Sequence, residues 1–234
     1  MRVPAEICVI RQETPHVKSF LLNIGKAKFT FLPGQWLDCY IDAKGELGVA
    51  GYSITSSPTI EGEIELTVRE NGENPVTRFL HEGAGVGDTI YLDGGHGDFH
   101  YGRKMGDSLV LIAGGIGITP LMSILSYVDM RCSGVRATLI YSAKKPSEFV
   151  FKERLEEMAR RNGDISCLFT ITQPGEEPWE GHTGRVDAGM LQEIGVDLEA
   201  LYFICGPQNM GPDVKGMLME MGVPPENVRY EQWW

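Results

Sequence analysis

The sequence predicts two domains: an N-terminal antiparallel β-barrel over residues 1–101, and a C-terminal α/β domain with a parallel sheet over residues 102–234. Three observations predict it. Apolar and polar residues alternate with period two through the first hundred residues. Near residue 102 that pattern gives way to apolar strands separated by helical periods. The second half opens on 111-LIAGGIGITPLMS-123, a strand, a glycine turn and a helix in succession.

Along the first domain, Ala5, Ile7 and Val9 alternate with polar neighbours, as do Phe20, Leu22 and Ile24. Leu37, Cys39 and Ile41 oppose Trp36, Asp38 and Tyr40, and Ile64, Leu66 and Val68 oppose Glu63, Glu65 and Thr67. Breaks at 33-PG-34 and 94-GG-95 fit short antiparallel strands, and 76-VTRFLHEG-83 reads as one short helix. The stretch 100-HYGRKMGD-107 is the expected joint. Beyond it, strands are expected at 108–113, 135–142, 165–172, 201–205 and 228–233. Leu121, Ile124, Leu125 and Val128 keep helical spacing, and 148-EFVFKERLEEMARRNG-163 is amphipathic with Gly163 suited to follow a helix end. Strand–helix alternation of this kind gives a parallel sheet with helices on its faces.

Composition limits the function. The chain has 234 residues, 42% hydrophobic and 23% charged, as in ordinary globular proteins. Its 29 glycines exceed the roughly 16 that an average of about 7% would give, which hints at tight turns and backbone brought close to ligands. A formal charge of −11 argues against a nucleic-acid partner. No apolar run approaches the roughly 18–20 residues of a bilayer span. Cys8, Cys39, Cys132, Cys167 and Cys205 are scattered without a C-x-x-C pair, so no metal or iron–sulfur site is expected. They fit a reducing intracellular compartment. The start shows no signal peptide, so the cytoplasm is expected for the chain as given, or the mitochondrion if a transit peptide has been trimmed.

Three segments carry candidate chemistry. In 49-VAGYSITSSP-58 five hydroxyl-bearing side chains and a glycine occupy a strand, which suits either an exposed edge or a ligand with a flat ring and a polar tail. In 114-GGIGITP-120, Gly114, Gly115 and Gly117 remove side chains where backbone would approach a ligand. Thr119 can cap the helix, Pro120 suits its first turn, and the helix N-terminus offers N–H groups and a positive dipole to a pyrophosphate. The plain alternative is a tight βα turn that merely needs glycines. In 204-ICGPQNM-210, Cys205 ends an apolar strand on the rim where parallel sheets bind ligands, although a lone strand-end cysteine also reads as small, buried packing. The tail 230-YEQWW-234 either closes a sheet or covers a site.

Together 33-PGQW-36, 52-YSITSSP-58, 76-VTRFL-80, 94-GGHGDF-99, 114-GGIGITPLMS-123, 205-CGPQNM-210 and the aromatic C-terminus resemble the ferredoxin–NADP⁺ reductase-like flavoenzymes, in that family's order and over nearly the whole chain. The resemblance implies a flavin-dependent NAD(P)H oxidoreductase that passes hydride from nicotinamide to FAD, with FMN as the alternative, and electrons on to a separate acceptor. It implies that Tyr52, Ser53, Ile54 and Thr55 line the flavin, with Tyr52 stacked on the ring and Ser53 near its N5, and that Val76 and Thr77 receive phosphate. Gly114, Gly115, Gly117, Ile118, Thr119 and Pro120, with Cys205, Gly206 and Pro207, would hold NADH or NADPH. Ser53, Cys205 and Glu231 are the implied catalytic residues, and Trp234 or Trp233 the aromatic cover of the ring. The family's usual arginine two residues before the tyrosine is Ala50 here, which predicts weaker flavin binding, FMN in place of FAD, or compensation by Arg69 or Arg78. After the second strand of the nucleotide domain, Ser142, Lys144 and Lys145 permit a 2′-phosphate, while Gln173 stands near where NADPH users often place an arginine. Two other readings stay open: a nicotinamide-nucleotide-binding protein with weak or lost flavin and no turnover, and an interaction module on a reductase scaffold.

Overall fold

The computed structural model describes residues 2–43, 46–72 and 74–232. The expected roles of Trp233 and Trp234 lie outside the described residues. Strands β1 (Val3–Thr14), β2 (Val17–Asn23), β3 (Trp36–Ala43), β4 (Glu46–Ser53), β5 (Glu63–Arg69) and β6 (Thr89–His96) form one six-stranded antiparallel sheet in the order β4-β3-β6-β1-β2-β5. Its two edge strands approach through a bridge from Ile54 to Leu66, and the Thr55 N–H donates to the Glu65 carbonyl at 2.9 Å. Helix α1 (Pro75–Arg78) and a wider turn over Phe79–Gly83 lie between β5 and β6.

The period-two pattern predicts this core well. Ala5, Ile7, Phe20, Leu22, Leu37, Cys39, Ile41, Ile64, Leu66 and Val68 pack together inside it. Val9 does not, because a bulge between Ile7 and Val9 shifts the register and turns Ile10 inward in its place. Glu65 and Thr67, expected to face water, are 5% and 3% exposed. Thr67 bonds the Ser19 hydroxyl at 2.8 Å, and the second domain covers Glu65.

The second sheet comprises β7 (Ser108–Gly114), β8 (Arg136–Ala143), β9 (Ile165–Ile171), β10 (His182–Thr183), β11 (Leu201–Cys205) and β12 (Val228–Glu231). All pair in parallel, in the order β10-β9-β8-β7-β11-β12. Its helices are α2 (Ile118–Arg131), α3 (Lys152–Arg161), α4 (Ala188–Glu193) and α5 (Met210–Glu220). Leu109, Leu111 and Ala113 face α2 and α3, while Val110 and Ile112 face α4 and α5, so the central strand is buried on both sides. The strand order reverses beside β7, which places the ligand crevice of such a sheet at the carboxyl ends of β7 and β11.

One helix starts later than its pattern predicts. Helix α3 begins at Lys152 rather than near residue 148, because Phe149, Val150 and Phe151 are drawn into the core. Phe149 stacks on Trp179 at 5.4 Å, and Phe151 adopts a left-handed φ of 62°. The short elements β10 and α4 carry too few residues for a readable period.

Candidate active site

The glycine turn after β7 divides into two roles. A Cβ on Gly114 would stand 2.6 Å from Met210 Sδ and 2.7 Å from Pro207 Cδ, and one on Gly117 would stand 2.2 Å from the Cys205 carbonyl oxygen. These two glycines therefore let the β7 turn pack against the Cys205–Pro207 loop. Gly206 belongs to the same joint, since a Cβ there would meet Met210 Sδ at 2.5 Å. Gly115 differs: its φ is +54° and nothing lies within 4 Å of an added Cβ. It alone of the three has the open, side-chain-free surface that a pyrophosphate would need.

Thr119 is not the helix cap. Gly117 occupies that position, and Thr119, inside the first turn, donates its hydroxyl to the Ile116 carbonyl at 3.0 Å. Pro120 falls in that first turn as expected, and the Ile118 N–H bonds the Gly115 carbonyl. At the other short helix, Asn74 caps α1: its Oδ1 accepts from the Val76 N–H at 2.8 Å and the Thr77 N–H at 3.4 Å. Any phosphate reaching these amides has to displace Asn74. The Asn74-Pro75 pair, a cap followed by proline in the first turn, is a sequence signal that would have found it.

On β4, Tyr52 pairs with Leu37 and Ser53 with Trp36, so the two side chains leave opposite faces of the strand. A flat ring meets both only by lying along the strand's side, and β4 is an edge strand of its sheet. Tyr52 is half-buried, and its hydroxyl shares a 2.8 Å hydrogen bond with Thr77. Burial raises its pKa; the Thr77 bond opposes the shift. The other hydroxyls are mostly engaged with the protein. Ser56 Oγ accepts from the Glu65 N–H, and Ser57 Oγ bonds Thr59. Thr55 Oγ1 is buried without a protein partner. Ile54 is a core residue at 0% exposure and offers a ligand no side-chain surface.

Of the three candidate catalytic residues, Cys205 and Glu231 are neighbours at the ends of β11 and β12, and Ser53 ends β4. Ser53, 6% exposed, lies opposite Trp36, whose ring packs on His96 at 4.9 Å. Gly97 follows, with φ +90°, and a Cβ there would stand 2.8 Å from Trp36 Nε1 and 3.8 Å from Glu231 Oε1. Glu231 pairs with Cys205 across β11 and β12. Cys205 is 1% exposed; burial, then the Glu231 carboxylate, pushes its thiol well up, so it stays protonated. A groove of about 680 Å³ opens elsewhere, along the outer edge of β9 between Phe169, Trp179 and His182. It does not include these residues.

An open Gly115, a half-exposed aromatic on an edge strand and a buried, unpartnered Thr55 hydroxyl fit a flavin on β4 and a dinucleotide on the β7 turn. The fit is weakest at Ala50, which packs against the apolar core and brings no charge to a pyrophosphate. Arg78, a candidate substitute, donates to the Gly72 carbonyl at 2.7 Å.

Residues 5–101 match the oxidoreductase FAD-binding domain and residues 111–216 the oxidoreductase NAD-binding domain. Oxidoreductase NAD-binding domain-containing protein 1 of Xenopus laevis is 32% identical over 252 residues, covering 99% of this chain and 79% of that one. The chain belongs to this family. It is an FAD-dependent NAD(P)H oxidoreductase of the ferredoxin-reductase-like type. A glycine betaine monooxygenase reductase subunit of Chromohalobacter salexigens is 31% identical over 92% of this chain and 60% of its own length. Among solved structures, the FAD/NAD-binding domain of nitric oxide dioxygenase from Vibrio cholerae superposes with a TM-score of 0.87 at 22% identity, over 98% of both chains. A ferredoxin NADP⁺ reductase from Neisseria gonorrhoeae gives 0.82 at 22%, over 100% of this chain and 99% of that one. At these identities the two structures establish the shared fold. Within the described residues, no helix of this oxidoreductase is long and apolar enough to cross a membrane.

Proposed function

We propose that this oxidoreductase takes hydride from a nicotinamide held at the β7 turn and passes the electrons, through a flavin on β4, to a separate acceptor. When bound, the flavin supplies the two-electron chemistry with nicotinamide and the onward transfer. The residues do the rest. Tyr52, pinned by Thr77, presents its ring; Ser53 offers a hydroxyl at the end of β4; Val76 and Thr77 stand beside the phosphate path. Gly115 admits the pyrophosphate, Cys205 packs as a neutral thiol under the nicotinamide position, and Glu231 sets the polarity between the sheets. The observation that carries this reading is the run Ser53, Trp36, Gly97, Glu231, Cys205, which joins the end of β4 to the switch point of the second sheet.

Within this reading residues 1–101 form a flavin-binding barrel and 102–234 the nucleotide domain. FAD is held loosely, or FMN in its place, for want of charge at Ala50. The Gln173 N–H bonds the Lys144 carbonyl at 2.9 Å, so the loops after β8 and β9 lie side by side. Ser142 is buried, which leaves Lys144 and Lys145 to admit a 2′-phosphate and Gln173 to favour NADH. A net charge of −11 favours an acceptor that is not strongly acidic. The deciding experiment is stopped-flow reduction of FAD-loaded protein by NADH and by NADPH in parallel. Loss of the visible flavin band with either nucleotide supports the reading. Nucleotide binding without any flavin retention would favour a nucleotide-binding protein that lacks turnover, the reading that Ala50 favours.

A further inference from the structure

Glu65 is a buried carboxylate bonded through its backbone to Thr55 and Ser56, the residues that continue from β4. It lies on β5, is 5% exposed, and faces two arginines. Arg154 of α3, in the nucleotide domain, donates to its Oε2 at 3.0 Å. Arg11 of β1 lies 3.5 Å from its Oε1. Its backbone is held as well: the Glu65 N–H donates to Ser56 Oγ at 3.0 Å, and its carbonyl accepts the Thr55 N–H at 2.9 Å. Ser56 is tied across the domains in turn, because the buried Ser123 hydroxyl of α2 donates to the Ser56 carbonyl at 2.7 Å.

These contacts connect particular parts of the two sites. Thr55 and Ser56 continue directly from Ser53 at the end of β4. Ser123 lies within the first turns of α2, whose N-terminus follows Gly115 and Gly117. Glu65 and Arg154 are 89 residues apart in sequence; the carboxylate is 7% exposed and Arg154 42%, so the buried member of the pair is Glu65, and losing Arg154 leaves it only the 3.5 Å contact with Arg11. Two packed domains in one chain move relative to each other by default unless the interface holds them. Hydride transfer tolerates little such movement: reacting atoms must sit about 3–3.5 Å apart, and a misplacement of about 1 Å can lower a rate on the order of a hundredfold.

We propose that Glu65 is a positioning residue. Its carboxylate, through Arg154, fixes the spacing between the flavin strand and the nucleotide turn, and its backbone N–H anchors the Ser56 that α2 also holds. It touches neither ring, and this role rests on the flavin and nucleotide placement given above. Of the hydroxyl-bearing side chains of 49–58, that of Ser56 binds β5, while the Ser56 carbonyl accepts from α2.

The test uses Glu65→Gln, Arg154→Met and the conservative Arg154→Lys in the full chain, each confirmed folded by thermal melting. Single-turnover flavin reduction should slow about tenfold or more in the first two, while the nucleotide dissociation constant, titrated on flavin-free protein, changes less than about twofold. Arg154→Lys should restore most of the rate. Hydrogen exchange on the flavin-free chain gives a separate readout: Glu65→Gln should lower protection at Thr55–Ser57 and over the first turns of α2. Unchanged exchange there, or unchanged reduction rates in both folded variants, overturns the positioning role. A wild-type protein that nucleotide does not reduce overturns the functional reading instead, and the exchange result still judges the link.

Discussion

At the scale of single residues, two glycines two positions apart behave differently for a reason that only neighbours reveal. Gly117 faces the Cys205 carbonyl, whereas Gly115 faces open space with a left-handed φ. We expect Gly117→Ala to cost about 3 kcal/mol, since backbone rather than a movable side chain must yield. Gly115→Ala should cost about 1–2 kcal/mol from left-handed strain alone. Thermal melts of the pair check the order, and equal losses would contradict the division of roles. Ala50 makes the second prediction. A charge-assisted contact contributes about 1.5–3 kcal/mol, so Ala50→Arg should tighten FAD by about one to two decades. Retention through dialysis measures it. Wild-type protein that already keeps stoichiometric FAD through the same dialysis would show that the missing arginine does not matter.

At the scale of elements, the start of α3 shows local pattern yielding to burial. Residues 148–151 continue an amphipathic period, but Phe149 gains more by entering the aromatic group around Tyr141, Phe169 and Trp179, and Phe151 by burial in the same core. Phe151 then adopts a backbone conformation that suits glycine. Phe151→Gly should relieve about 1 kcal/mol of strain yet lose about 3–5 kcal/mol of buried aromatic contact. The expected outcome is a net loss of about 2–4 kcal/mol in denaturant unfolding, and a stabilised variant would mean the strain outweighs the packing. The bulge at Cys8 is a similar case: one extra residue in β1 moves Val9 off the core face, and no alternation rule anticipates where a strand will take it up.

At the scale of the whole molecule, burial ties stability to pH. Burial, with Asp38 adding to it, pushes the Cys39 thiol up to about 12. Burial, with Glu156 adding to it, does the same for Cys167. Unfolding returns each to an ordinary thiol value near 9. Below that value both states hold the proton, and the two thiols introduce no pH dependence. Above it the unfolded chain loses a proton that the folded chain keeps, so stability falls by up to about 1.4 kcal/mol per pH unit for each thiol, until pH approaches the folded value. Melting temperatures measured from neutral pH to about pH 11 should be level at first and then decline steeply beyond about pH 9. A level profile throughout would show that these thiols are not held protonated.

The sequence by itself determined the two-domain order, the antiparallel-then-parallel change of sheet and most core positions, because period two and strand–helix alternation are local signals. It also located the β4 and β7 segments and Cys205, since glycine turns and strand-end motifs are contiguous. Only the tertiary structure decided which glycines serve packing, that Tyr52 and Ser53 leave opposite faces of an edge strand, and that Thr119 lies inside rather than before its helix. It alone paired Glu65 with Arg154 and Ser56 with Ser123. Those partners stand 89 and 67 residues apart respectively, and a charged residue on an alternating strand reads as solvent-facing until a second domain covers it. Local spacing carries the backbone's periodicity, whereas burial of a polar group depends on what arrives from elsewhere in the chain.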